Sequence, residues 1–373
     1  MRWDAQRLDL DEPSTLPGLP DIRGLLRSLQ VPEFPGLTLH EVRCKSALNA
    51  VPQGSAMPFG HTINTFRGCS HACIYCYARG THEWLELDSG ADFDQQIVVK
   101  TNVVEVLRRE LARPSWRREH VALGTNTDPY QRAEGRYRLM PGVIDALARS
   151  GTPFSILTKG TLARRDLPLL VAASRDVPIG MGVSMAIWDD DLHTALEPGA
   201  PTPRARLELV RAITDAGLPC GVFLAPVLPG LTDSRGHLEA AIGAIAEAGA
   251  TGVTVLPLHL RPGAREWFTA WLVREHPALV ARYKTLYGRG AYVPSEYRSW
   301  LARRVAPVLA RHGLDRQSGG SARGLATPGE GAAPPATGLP GDESAGFPVG
   351  SLPVRRAAAA AAGTPVAEQL SLC

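Results

Sequence analysis

Cys69, Cys73 and Cys76 stand at the spacing C-x3-C-x2-C, inside Arg67-Gly-Cys-Ser-His-Ala-Cys-Ile-Tyr-Cys-Tyr-Ala-Arg79. Three thiolates this close grip one metal centre and leave one of four coordination positions open. A structural zinc site fills all four, normally from two C-x2-C pairs or with added histidines. No second cysteine cluster exists in the chain, so a zinc site would have to recruit His71 or His82. A [4Fe–4S] cube on three cysteines keeps one iron free to bind a small molecule, and soft thiolates suit such clusters. The iron–sulfur reading makes the chain an enzyme; the zinc reading makes it a zinc-stabilised binding module without catalysis. Metal content separates them.

The triplet, with Tyr75 as the aromatic residue before its last cysteine, resembles the signature of the radical S-adenosylmethionine (radical SAM) superfamily. The resemblance implies that the open iron chelates the methionyl amine and carboxylate of S-adenosylmethionine. One electron, from a reductant such as flavodoxin or ferredoxin, then cleaves the sulfonium to a 5′-deoxyadenosyl radical that abstracts hydrogen from a substrate. The match covers roughly residues 45–260, including Lys45-Ser-Ala-Leu-Asn49, Thr125–Gln131, Leu157–Gly160 and Ala225–Asp233. These segments resemble the DNA-repair-photolyase-like (spore photoproduct lyase-like) subgroup. In that subgroup a lysine and a serine at the ends of the third and fourth strands contact the cofactor, which implies Lys159 and Ser184 here. An ammonium pairs with the methionyl carboxylate, and a hydroxyl bonds either end of the zwitterion.

Asn126, Thr127 and Asp128 follow the second strand, where family members hold the cofactor's amino group or ribose. Asp128 is the strongest acceptor of the three, with an Asx-turn before Pro129 as its structural alternative. The stretch Glu197–Arg204 resembles the subgroup's loop into the fourth helix, which brings Arg204 forward as a partner for the cofactor carboxylate; its alternative is a first-turn surface residue. His193 reads as structural or solvent-facing, and Gly124 as a residue that lets the cofactor approach closely. One departure is informative. Spore photoproduct lyase has a hydrogen-donating cysteine just ahead of its second-strand turn, where this chain has Gly124-Thr125-Asn126. Repair of the spore thymine dimer is therefore not expected. Cys220, at a strand start, reads as buried packing, with supply of a hydrogen atom as its alternative.

These residues need a frame, and the hydrophobic pattern supplies one. Short apolar strands are expected at His61–Phe66, His120–Gly124, Pro153–Thr158, Pro178–Met185, Cys220–Val227 and Gly252–Leu258. Amphipathic helices are expected between them at Val103–Leu111, Gly142–Arg149, Ala163–Ala173, Arg204–Ala216 and Leu238–Glu247. In the fourth, Leu207, Val210, Ile213 and Ala216 recur at helical spacing, with Arg206, Glu208 and Arg211 as the charged residues between. Strands alternating with helices make parallel strands in right-handed crossovers, hence an α/β fold, either a βα barrel or an open doubly wound sheet. Six units suggest a partial barrel, and the resemblance implies a partial (β/α)6 TIM-like core. The Gly-, Pro- and polar-rich stretches all follow the C-terminal ends of the strands, the rim where parallel βα folds bind ligands.

Residues 1–60 form an N-terminal extension that wraps the barrel, with a short helix at Ile22–Leu29 and an edge strand at Leu37–Arg43. The barrel spans 61–260. Residues 261–316 are expected to make a helical cap whose aromatic residues pack a core, and 317–373, rich in Gly, Ala, Pro and Ser, are expected to be a disordered tail. The tail ends Glu368-Gln-Leu-Ser-Leu-Cys373, which resembles the bacterial sliding-clamp-binding peptide. Gln369, Leu370 and Leu372 would be its contacts, with Cys373 in place of the usual Phe. Hydrophobic residues make up 44% and charged residues 21% of the chain, as in soluble enzymes. No run of about 18 apolar residues marks a membrane span. A cytoplasmic setting is expected, since three of the six cysteines cluster rather than forming a disulfide framework. The net charge of +3 permits a nucleic-acid partner without requiring one. The expected function is radical SAM chemistry in nucleic-acid repair or modification; radical modification of a peptide or small metabolite is the alternative.

Overall fold

Apolar runs too short for core helices become the strands of two sheets. The computed structural model describes residues 24–52 and 59–315. In its first part lie β1 (Leu25–Gln30), β2 (Thr38–Val42), β3 (Leu48–Ala50), β4 (His61–Ile63), β5 (Phe66–Arg67) and β6 (Gln96–Lys100). There follow β7 (Val121–Leu123), β8 (Phe154–Thr158), β9 (Ile179–Ser184), β10 (Cys220–Val227) and β11 (Gly252–Pro257).

The larger sheet has the order β11-β10-β9-β8-β7-β4-β3. Its six strands from β4 to β11 run parallel, and β3 lies antiparallel on β4. Helices Val103–Leu111, Leu139–Arg149, Leu167–Ala173, Pro203–Asp215 and Arg235–Glu247 fall between successive parallel strands. β11 and β3 end the order without pairing, so the barrel stays open: a partial (β/α)6 TIM-like fold. Strands covered on both faces read as unbroken small and apolar runs. All six residues of β9, Ile-Gly-Met-Gly-Val-Ser, are buried. Each helix turns one stripe to this core; in Val103–Leu111 the buried set is Val103, Val106, Leu107, Glu110 and Leu111. A fully buried Val or Leu contributes about 1.5–3 kcal/mol, which makes these stripes the main cohesion of the barrel.

The N-terminal part departs from expectation in two ways. Residues expected to be helical over Ile22–Leu29 form strand β1 where they are described, because antiparallel pairing with β2 (Arg27 to Glu41, Leu29 to Leu39) overrides local helix propensity. The expected edge strand, β2, is interior, with β1 on one side and β6 on the other. This second sheet, β1-β2-β6-β5, also takes the end of the expected first barrel strand, which breaks after Ile63 and resumes as β5. The segment carrying the cysteine loop thus starts in the small sheet, stitched to the N-terminal wrap.

Beyond β11 come helices Ala264–Glu275, Val280–Tyr287 and Ser295–Arg311. Phe268, Trp271, Tyr283, Tyr287 and Tyr297 are buried there, so this aromatic set is packing. No helix among the described residues is long and apolar enough to cross a membrane. The expected tail from 317, with Gln369, Leu370 and Leu372, lies outside the described residues.

Candidate cofactor and cluster site

The cysteine loop leaves β5 at the C-terminal rim of the barrel and is held from several sides. Gln131, fully buried after β7, accepts from Ser70 N–H (2.9 Å) and donates to Gly68 C=O (3.0 Å). On the other side Ile74 N–H donates to Leu196 C=O (2.9 Å) and Gly199 N–H to His71 C=O (3.1 Å). A Cβ on Gly199 would stand 2.0 Å from the Ser70 carbonyl oxygen, so only glycine fits this contact. Within the loop, the Ala72, Cys76 and Arg79 N–H groups donate to the carbonyls of Cys69, Cys73 and Cys76, winding the three cysteines onto successive turns. Arg79 clasps the end: its buried guanidinium donates to Cys73 C=O (3.1 and 3.0 Å), Gly90 C=O (2.7 Å) and both Asp94 oxygens (2.9 Å).

Cys69 and Cys73 are buried and Cys76 is half-buried. Burial pushes all three thiols up, against the pull of Lys159 and Arg206 on Cys73 and of Arg79 and Lys159 on Cys76. Holding three thiolates here requires a cationic centre to replace the lost solvation. The histidines a zinc site would need are engaged elsewhere: His71 Nδ1 faces Asp128 at 3.4 Å, and His82 Nε2 bonds the Gln96 carbonyl at 2.9 Å. Among the described residues no three or more His, Cys, Asp or Glu side chains are arranged to hold a single metal ion. A cube does not need that convergence, since each thiolate meets a different iron.

Lys159, at the end of β8, and Ser184, at the end of β9, do meet: Lys159 Nζ donates to Ser184 Oγ at 2.9 Å. The ammonium also lies 5.8 Å from the centre of the Tyr75 ring and 4.0 Å from Glu197 Oε1. Glu197 is fully buried and accepts from the Tyr75 hydroxyl and from Arg206. Arg206, also fully buried, donates further to Ser184 C=O (3.0 Å), Pro201 C=O (2.8 Å) and His193 Nε2 (2.9 Å). Burial and the neighbouring Arg206 lower His193 to about 4, so its ring is neutral and structural.

Arg204 is not brought to this group; it is exposed on the first turn of its helix, two residues before Arg206. Glu197 and Arg206 are the site residues that the sequence reading passed over. Asp128 sits at the site but is spent within it. Its oxygens accept from Thr158 Oγ1 (2.6 Å), Lys159 N–H (2.6 Å) and Tyr130 N–H (2.9 Å), the last being the Asx-turn. Burial raises its pKa, yet the facing His71 and these donors outweigh burial and hold it at about 2. Asp128 thereby anchors the Lys159 backbone. Asn126 is half-buried and lines a cavity of about 30 Å³ with Asn64, Arg67 and Trp84. Gly124 has φ +88°, and a Cβ there would stand 1.9 Å from the Leu157 carbonyl oxygen. The close approach it permits is that of the neighbouring strand. Cys220 is buried packing at the opposite end of β10.

The family model of the Radical SAM superfamily matches residues 63–241, which contain this whole arrangement. The chain belongs to the radical SAM superfamily. An uncharacterized protein of Mycobacterium tuberculosis (strain H37Rv) is 60% identical over 318 residues, 84% of this chain and 93% of that protein. An uncharacterized protein of Methanocaldococcus jannaschii is 25% identical over 173 residues, 46% of this chain and 62% of that one. Among solved structures, a spore photoproduct lyase double mutant with bound AdoMet and dinucleoside spore photoproduct aligns with TM-score 0.54 and 14% identity, covering 72% of this chain and 77% of that one. At that identity the likeness is one of fold. Radical SAM proteins use a [4Fe–4S] cluster and S-adenosylmethionine, and these are the cofactors of this chain. Three clustered thiols, two buried and one half-buried, with cations beside Cys73 and Cys76, and an ammonium–hydroxyl pair at the same rim, fit that pair.

Proposed function

We propose that this radical SAM chain carries its cluster on Cys69, Cys73 and Cys76 and modifies or repairs a nucleic acid by hydrogen abstraction. When bound, the cluster and S-adenosylmethionine supply a 5′-deoxyadenosyl radical. The protein's part is positional. Lys159 has three N–H donors and one is taken by Ser184, so two remain for a methionyl carboxylate. The Tyr75 ring covers the same ammonium, and the loop clasped by Arg79, Gln131 and Gly199 keeps the thiols out of solvent. The observation that carries the cofactor reading is this meeting of Lys159 and Ser184 beside the cysteine loop.

For the nucleic acid, the support is the fold shared with spore photoproduct lyase and the charge of the cap. Residues 261–315 carry ten Lys and Arg against four Asp and Glu, in a chain whose net charge is +3. With Gly124-Thr125-Asn126 where a donor cysteine would stand, the substrate is a lesion or base other than the spore thymine dimer. A flavodoxin- or ferredoxin-type reductant in the cytoplasm and a sliding clamp engaging Gln369, Leu370 and Leu372 belong to the same reading. The test is anaerobic reconstitution with iron and sulfide, then dithionite and S-adenosylmethionine, with 5′-deoxyadenosine followed by mass spectrometry. Turnover that rises with damaged DNA supports the reading; a loaded cluster yielding no 5′-deoxyadenosine with or without nucleic acid overturns it.

A further inference from the structure

We propose that the buried Glu197–Arg206 pair is the positioning unit of the cofactor site, fixing Tyr75, Lys159 and Ser184 as one rigid set. The three come from separate segments: Tyr75 from the cysteine loop, Lys159 from the end of β8, Ser184 from the end of β9. Each is tied to the pair. The Tyr75 hydroxyl donates to Glu197, Arg206 donates to the Ser184 carbonyl at 3.0 Å, and Lys159 Nζ stands 4.0 Å from Glu197 while bonding Ser184 Oγ at 2.9 Å.

Charge accounting shows why the pair suits this task. Arginine only donates, so His193 Nε2 must accept from it and the ring adds no charge. Glu197 is therefore matched by Arg206, and the Lys159 ammonium stands beside Cys73 bonded to the neutral Ser184 hydroxyl and not to a carboxylate. At 4.0 Å Glu197 attracts that ammonium without taking one of its hydrogen bonds. A carboxylate closer by 1 Å would occupy the donors an anionic ligand needs. Burying two full charges is costly unless they are well hydrogen-bonded, and here each Glu197 oxygen accepts one bond while Arg206 makes four.

The test uses the reconstituted full chain without any substrate, so it is independent of the nucleic-acid reading. Glu197→Gln keeps the shape and removes the charge. Two quantities are read: the S-adenosylmethionine dissociation constant by anaerobic equilibrium dialysis, and the cluster midpoint potential by EPR-monitored titration. Affinity is expected to fall about tenfold, as for a lost charged hydrogen bond, and the midpoint to move positive as a negative charge near Cys73 is removed. Glu197→Asp should restore part of both. A Glu197→Gln protein of lowered melting temperature but wild-type affinity and potential would make the pair purely structural and overturn the proposal. Should that variant fail to load a cluster, Tyr75→Phe decides, since it deletes only the hydroxyl that reaches Glu197. Weakened binding supports the assignment and unchanged binding overturns it. The wild-type dissociation constant is the control that separates failure of the cofactor reading from failure of this one.

Discussion

A thiol pushed up in pKa by lost solvation is a poor ligand until a metal centre arrives, and all three clustered thiols are of this kind. Because a cube held by two thiolates loses an anchoring iron, Cys69→Ala, Cys73→Ala and Cys76→Ala should each abolish stable cluster loading and 5′-deoxyadenosine formation. Iron and acid-labile sulfide assays check this, and cleavage retained in all three variants would remove the mechanism. In the proposed arrangement Lys159 serves the cofactor and not the cube. Lys159→Met should therefore keep the iron content while weakening S-adenosylmethionine binding about tenfold or more, the scale of a charge-assisted hydrogen bond. Arg204→Ala is the matched control. An exposed arginine two residues from Arg206 should change affinity less than about twofold, within the small effects typical of surface sites.

At the scale of elements, the cysteine loop is only as rigid as its clasp. Arg79→Met leaves Asp94 buried without its partner; burial already raises Asp94 to about 6 with Arg79 present. Breaking one side of a buried pair costs about 3–5 kcal/mol, so the variant should melt early and load cluster poorly. Adding Asp94→Asn should recover part of the stability, which a thermal double-mutant cycle measures. At the opposite end of the barrel His120 is buried just before β7, with neither ring nitrogen partnered, and burial lowers it to about 3. Below its ordinary pKa the unfolded chain binds a proton that the fold refuses. Stability present at pH 7.5 is therefore lost as pH falls toward 3, by about 2 kcal/mol at pH 5. His120→Phe should flatten that part of the slope in denaturant titrations. The elements differ in how openly the sequence declares them. The β8, β9 and β10 runs are short, apolar and bounded by turn residues, and they form where the pattern places them. β6 was missed because Gln96-Ile-Val-Val-Lys100 is flanked by polar residues and ends in a lysine that the fold buries. Arg206 is hidden in the sequence for a related reason. Among Glu208 and Arg211 it reads as one more solvated charge, and only its through-space partner Glu197 reveals it as core.

At the scale of the whole molecule, the chemistry is concentrated and the charge is not. Every residue assigned to the cluster or cofactor lies between Cys69 and Arg206, and immediate supports such as Arg79, Gln131, Asp128, Glu197 and Gly199 come from the same span. The excess of Lys and Arg lies further on, in the cap that follows β11. Under the proposed function this amounts to a division of labour, in which the barrel handles S-adenosylmethionine and the later segments meet the substrate or its carrier. Under the same proposal the clamp-like residues Gln369, Leu370 and Leu372 serve the second task. Deleting 317–373 should accordingly leave iron content, melting temperature and substrate-free 5′-deoxyadenosine formation at wild-type values. Any binding to a purified sliding clamp should disappear in the same variant. Salt provides a further discriminator. If the cap tracks a phosphate backbone, DNA affinity should fall steeply and linearly in logarithmic salt, equally for the full chain and the truncated one. A truncated protein that has lost DNA binding but kept cofactor cleavage would instead put the nucleic-acid contacts in the deleted segment.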